Sequence, residues 1–144
     1  MKPTMKIILS VALVLSICLN LFQFSFNSHL IKQENIDREF NLATGRISGA
    51  LDSIDNGNYS GYLLAIEHAA KANALSQFSS YPPEANLTGI TAEFINEFRN
   101  LNIKQKKLAD KEELRTLFQK LSSDPTNRDI SERIIKLLQK NLTY

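Results

Sequence analysis

Two histidines and one cysteine are the side chains of this sequence with the widest chemistry, and their spacing limits what they can do. A helical zinc site needs a second histidine four residues after the first, whereas no histidine follows Glu67-His68 and His29 lies far away in the sequence. No Gly-x-Ser-x-Gly elbow occurs either. We therefore predict a protein that is not an enzyme, with no catalytic residue, no metal site and no cofactor.

The segment from Asp52 to Asn58 superficially resembles a calcium-binding loop in its oxygen-bearing side chains. When Gly57 is aligned with the sharp-turn glycine of such a loop, Ile54 and Leu63 occupy positions that require oxygen ligands. A helix end followed by an Asn56-Gly57 turn accounts for the same residues. The glycines of the chain also never cluster into a phosphate-binding loop. The segment therefore predicts a turn rather than an ion site.

Four small residues are the candidates for a helix-contact site. Gly45 and Gly49 lie four apart on one face of a predicted helix, and Ala65 and Ala69 show the same spacing on the next helix. A glycine inside a helix costs up to about 1 kcal/mol relative to alanine, so the pair of glycines suggests a packing role. The plainer interpretation is that these two predicted helices pack on each other. The alternative is a surface for a second copy or another protein.

Five basic residues form the densest charged stretch, but acidic residues are interleaved with them. This pattern predicts a solvated helix face with local ion pairs rather than a surface for lipid headgroups or envelope polymers. The formal net charge of the chain is only +2, which argues against a nucleic-acid partner. The basic residues are Lys104, Lys106, Lys107, Lys111 and Arg115, and the acidic ones are Asp110, Glu112 and Glu113.

Residues 7–26 form an apolar segment that is long enough to span a membrane. Crossing about 30 Å of hydrocarbon takes about 20 helical residues, and no charge lies between Lys6 and Lys32. An uncleaved signal anchor fits better than a cleaved signal peptide, because no small-x-small cleavage site follows the apolar run. Ile17 is too large to precede a lipidated cysteine, so Cys18 is expected to be a membrane-helix residue.

The positive-inside rule orients this anchor. Lys2 and Lys6 lie before the apolar segment, and without them the chain has 15 basic and 15 acidic side chains. We predict that residues 1–6 are a cytoplasmic tail, that residues 7–26 cross the cell membrane once, and that residues 27–144 form an extracytoplasmic domain.

Apolar residues in this outer domain recur every three to four positions, as in amphipathic helices. The first helix runs to about Asp55 and continues the membrane helix if nothing interrupts it. The second covers residues 59–78, the third starts near Thr88, and the last starts at Asp124-Pro125 as N-cap and first helical residue. Asp110 and Glu113 resemble a capping box, but whether residues 88–122 form one helix or two stays open. The inner face of the second helix is expected to carry Tyr59, Tyr62 or Leu63, Ile66, Ala70, Ala74 and Phe78.

These patterns predict an all-α protein: an N-terminal transmembrane helix followed by an up-and-down bundle of four to five helices. We expect it to act as an interaction or accessory domain in an envelope complex, with a protein partner that could be a second copy. The alternative is a sensory bundle that binds a small ligand in a cavity between Phe40, Ile66, Phe94 and Ile134.

Overall fold

The computed structural model describes residues 3–54 and 60–142, and it describes the burial of side chains for residues 13–54 and 60–140. The described chain is all-α, as the apolar periodicity predicts, and the predicted Asn56-Gly57-Asn58 turn lies outside it. Five α-helices and one short 3₁₀ turn make up the described fold: α1 (Pro3–Asp52), α2 (Ser60–Ser76), the 3₁₀ turn Pro83–Ala85, α3 (Leu87–Lys104), α4 (Lys111–Ser123) and α5 (Arg128–Leu142).

Helix α1 has no break between Pro3 and Asp52, so the predicted continuation of the apolar helix into the first bundle helix is confirmed. The chain divides into two structural units, residues 1–34 and residues 35–144. In the first unit the large apolar side chains described are exposed, from 50% at Ile17 to 76% at Phe24, and the rings of Phe22 and Phe26 stack 6.2 Å apart. No other element of the described unit covers these side chains.

In the second unit, three pairs of successive helices run antiparallel, as in an up-and-down bundle: α1 with α2, α2 with α3, and α4 with α5. Glu39 in α1 pairs with Lys71 late in α2, whereas Ala50 near the end of α1 lies beside Gly61 at the start of α2. In α2 and α3, the start of one helix likewise contacts the end of the other: Tyr62 contacts Phe98, and Asn73 bonds to Thr88. In α4 and α5, Asp110 pairs with Lys140 and Glu113 pairs with Arg133.

Most large side chains of the bundle core come from the apolar stripes of α1, α3, α4 and α5, and their burial confirms the predicted repeat of apolar residues every three to four positions. Its centre is aromatic: the Phe94 ring stacks on Phe98 at 3.8 Å and meets the Phe118 ring edge-on at 4.6 Å. Such ring pairs add to the hydrophobic gain of burying the rings. The fully buried apolar residues of these four helices include Phe40, Ile47, Leu51, Ile90, Phe94, Phe98, Leu114, Phe118, Leu121, Ile134 and Leu138.

Residues 88–122 form two helices, because α3 ends at Lys104 and α4 begins at Lys111. Gln105 adopts a left-handed backbone conformation with φ of 49°, and the Lys106 amide donates to the Leu101 carbonyl, which closes the end of α3. At the start of α4, Asp110 occupies the N-cap position that the sequence pattern indicates, but no side-chain hydrogen bond of a capping box forms. Asp110 has φ of 55° and its side chain accepts from Lys140 instead of capping the helix, while Glu113 accepts from Arg133.

The predicted start of the last helix at Asp124-Pro125 is wrong, since α5 begins at Arg128. The Asp124 carboxylate accepts hydrogen bonds from Thr126 and Asn127 at 3.1 Å each, so it holds a turn between the helices. The Asn127 side chain accepts from the Ile130 amide at 3.4 Å and caps α5 in its place.

Candidate functional site

Helix α2 buries a different face from the one predicted. Its buried residues are Gly61, Tyr62, Ala65, Ala69 and Ala72, so the small side chains turn inward. Of the predicted inner face, Tyr62 is buried and Ile66 is partly buried, whereas Ala70, Ala74 and Phe78 are exposed and Tyr59 lies outside the described residues.

Helix α2 buries this face because it packs closely on α1 at Gly61. A Cβ atom added to Gly61 would lie 2.6 Å from Cγ1 of Ile54 and 3.0 Å from the Ala50 carbonyl oxygen. Only glycine allows the two backbones to approach this closely. Small residues along the rest of the same face let α2 stay near its neighbours, which leaves the larger leucines outside.

The four candidate helix-contact residues have different surroundings. Ala65 and Ala69 are fully buried in the core. A Cβ atom on Gly45 would lie 3.4 Å from Oγ of Ser122 in α4, whereas one on Gly49 would have no atom within 4 Å. The close backbone approach between α1 and α2 lies at Gly61, which the spacing of small residues did not identify.

This contrast makes the two glycines a matched pair for mutation. We expect Gly49→Ala to stabilise the bundle by up to about 1 kcal/mol, because alanine suits an exposed helix interior better than glycine. Gly61→Ala should destabilise it by about 1–3 kcal/mol, because the new methyl group overlaps Ile54 and the α1 backbone. Urea unfolding of the two variants measures both values. A stabilised Gly61→Ala variant would contradict the close approach.

The opposite side of α2 carries an exposed apolar surface, which we call the α2 outer face and define as Leu63, Leu64, Ala70, Ala74 and Phe78. The exposed fractions of its large side chains are 59% for Leu63, 42% for Leu64 and 67% for Phe78. A helix with apolar residues on both sides is usually covered on both sides. In the described part of the bundle the α2 outer face remains uncovered.

Polar contacts with α1 fix the position of α2 and of the loop that follows it. Lys71 donates to Glu39 at 2.6 Å, and this contact holds the pKa of the Glu39 carboxyl below its usual value. After α2, the backbone amide of Ser80 donates to Asp37 at 2.8 Å and the Tyr81 hydroxyl donates to Asn41 at 3.0 Å. The α2 outer face is therefore presented by a helix that is tied down near its C-terminal end.

The histidines are not brought into a metal-binding cluster within the described residues, where no group of three His, Cys, Asp or Glu side chains lies together. His29 is exposed and His68 is half-buried, and this burial lowers the pKa of the His68 imidazole. Most of the acidic segment that resembles a calcium loop lies outside the described residues, and Asp52 pairs with Arg115 at 3.4 Å.

Glu97 is the one acidic residue that is buried in the described part of the bundle. Only 2% of the residue is exposed, and its Oε2 atom has no hydrogen-bond partner. Burial raises the pKa of this carboxyl, with an opposing contribution from the charge of Lys104. The folded state therefore binds a proton at Glu97 more tightly than the unfolded chain does.

The pH dependence of stability should show this difference. Folding raises the pKa of Glu97. Its contribution to stability is therefore fully present at a pH below its pKa in the unfolded chain, and it is lost as the pH rises through its pKa in the folded state. We expect Glu97→Gln to be more stable than the wild type at pH 7, by about 1–3 kcal/mol, and to lose this advantage near pH 4. Urea unfolding at both values tests this, with Glu93→Gln one turn earlier as control. An advantage that does not change with pH would contradict it.

Three pockets outlined by described residues are open at the surface, and one of about 500 Å³ lies between α4 and the start of α5. Of the other two, the pocket of about 330 Å³ lies between the 3₁₀ turn and the start of α5, and the pocket of about 180 Å³ lies between the end of α2 and the start of α3. None of these three is lined by the core residues between which the alternative hypothesis places a ligand, Phe40, Ile66, Phe94 and Ile134.

The fold and the exposed surfaces define the class of protein: an all-α bundle whose first helix continues from an apolar helix. This helix is long and apolar enough to cross a membrane, a test that an N-terminal signal sequence also passes. No family model, no curated protein and no solved structure matches the chain.

Proposed function

We propose that the chain is a single-pass membrane protein that displays its helical bundle outside the cytoplasmic membrane as a non-enzymatic interaction or accessory domain. The observation that carries this proposal is the continuity of α1. One unbroken helix contains an uncovered apolar stretch in residues 13–31 and, from Phe40 onward, the first stripe of the bundle core. Apolar side chains this exposed in water are unfavourable, and a bilayer removes that cost.

The interaction role is supported by the α2 outer face. The rest of the bundle buries its apolar stripes, whereas this face leaves two leucines of α2 and a phenylalanine of the turn that follows it exposed. Several large apolar side chains exposed on one face indicate an interaction site more often than single exposed residues do, and the exposed Glu67 and Lys71 lie beside them. A protein partner in the same membrane would cover this face, and residues 7–26 would keep the bundle close to that partner.

Single-cysteine labelling in intact cells tests the orientation. In a Cys18→Ser background, a membrane-impermeant maleimide should label Tyr144→Cys without permeabilisation and should label Thr4→Cys only after it. The positive charges of Lys2 and Lys6 are the reason for this expectation. Labelling of Thr4→Cys alone in intact cells would reverse the orientation. A mature N-terminus beyond Phe22 would show that the segment is a cleaved signal.

A further inference from the structure

The loop that follows α3 combines an exposed apolar side chain with three lysines, and we call residues 103–107 the basic tip. Ile103 is 79% exposed, more than any other large apolar residue described in the bundle. Lys104, Lys106 and Lys107 are also exposed. The left-handed turn at Gln105 ends the helix between these lysines, so the chain changes direction within the tip.

The acidic residues that follow the basic tip in sequence do not neutralise it in the fold. Asp110 pairs with Lys140 at 2.7 Å, Glu113 pairs with Arg133 at 2.7 Å, and Glu112 pairs with Arg115 at 3.0 Å. Within the described residues, no ion pair involves Lys104 or Lys107. The local ion pairing predicted from the sequence is therefore confirmed for Arg115 but not for these two lysines.

Glu97 is the acid whose charge interacts with Lys104 and Lys106, and it is buried. Burial disfavours its charged form, so it compensates the lysines less than an exposed carboxylate would. Lys104 and Lys107 thus place positive charge at the basic tip of a domain that is formally neutral in sum.

We propose that the basic tip docks on a bilayer surface rich in anionic lipids, with the lysines at the headgroups and Ile103 in the apolar boundary. Lysines near such a surface are attracted by its negative potential. Ile103 favours a bilayer over a soluble anionic polymer, because a chain of phosphates offers no apolar environment to a side chain that is 79% exposed. The proposal rests on residues 87–123 of the bundle and does not depend on the anchor in residues 7–26.

Vesicle flotation of the full-length chain tests the proposal. The chain is held in nanodiscs of phosphatidylcholine and mixed with vesicles of phosphatidylcholine, with or without phosphatidylglycerol. We expect binding only to the anionic vesicles, and weaker binding as salt shortens the screening length from about 10 Å at 0.1 M to about 3 Å at 1 M. Circular dichroism of each variant confirms that the exposed substitutions leave the fold intact.

Two variants and their matched controls locate the binding. Each lysine near an anionic surface is worth about a fivefold change in affinity, so Lys104→Ala with Lys107→Ala should weaken binding about 25-fold. Lys120→Ala with Lys136→Ala removes the same charge from exposed positions elsewhere and should have little effect. Ile103→Ser should weaken binding about tenfold, whereas Leu63→Ser, at another exposed apolar position, should not.

Three outcomes would overturn the proposal. Equal losses in both lysine pairs would show a response to total charge rather than to the basic tip. Binding could also depend on the lysines but remain unchanged in Ile103→Ser and be competed away by soluble polyphosphate. That result would show a site for anionic polymers instead of a bilayer. Failure of the full-length chain to bind anionic vesicles would exclude docking, and it would leave the anchoring proposal unaffected.

Discussion

Replacing Phe94 by alanine is expected to destabilise the bundle by about 3–5 kcal/mol, a large part of the 5–15 kcal/mol that stabilises a typical domain. Phe94 is fully buried and contacts two other aromatic rings, those of Phe98 and Phe118. Removing its ring leaves a cavity that α3 and α4 cannot fill without shifting. It also removes the ring contacts that join these two helices.

Phe78→Ala is the matched control, because the same atoms are removed from a side chain that is 67% exposed. We expect its stability to stay within about 0.5 kcal/mol of the wild type. The chain has no tryptophan, so tyrosine fluorescence during urea unfolding reports the bundle through Tyr62 and Tyr81. A loss for Phe78→Ala as large as that for Phe94→Ala would mean that the α2 outer face is part of a core.

The apolar periodicity predicts most of the fold, because four helices have one apolar side and one polar side. In α1, for example, Phe40, Ile47 and Leu51 follow the helical repeat and are all fully buried. Helix α2 is the exception. It is apolar nearly all the way round, so periodicity alone cannot select the buried face, and the close approach at Gly61 selects it instead.

The helix ends that sequence reasoning missed depend on side chains in unexpected backbone conformations. Glycine is the usual residue with a positive φ at a helix end, but Gln105 and Asp110 occupy such positions here. Asp124 has the residue type of an N-cap, yet its carboxylate binds Thr126 and Asn127 in the turn. Local sequence shows which residues are able to cap a helix, whereas the contacts of the folded chain decide which of them do so.

The candidate surfaces were only partly predictable from the sequence, because they too depend on contacts of the folded chain. Ala65 and Ala69 were identified by spacing and are buried, but the α2 outer face became evident only once the inner face was known. The basic tip was visible as a run of lysines. Its charge depends on whether nearby acids turn toward it, and Asp110 and Glu113 turn toward α5 instead.

Two arginines in the apolar segment should remove the chain from the membrane. An arginine at the centre of a membrane helix costs about 3 kcal/mol, so Leu15→Arg with Leu19→Arg should disfavour insertion by about 6 kcal/mol, or about 10⁴-fold. The two positions lie one turn apart on α1, and their exposed fractions are 58% and 62%, so the substitutions disturb no contact within the bundle. Carbonate extraction of membranes should retain the wild type and release the variant.

Leu63→Arg with Phe78→Arg is the control for this prediction, because it places the same charges on exposed apolar residues of the bundle. This variant should stay in the membrane pellet, since the proposed topology places the bundle outside the hydrocarbon. Release of the control to the same extent as Leu15→Arg with Leu19→Arg would show that the bundle itself holds the chain at the membrane. Release of the wild type by carbonate would show that residues 7–26 do not anchor it, and the membrane-anchored function would then have to be abandoned.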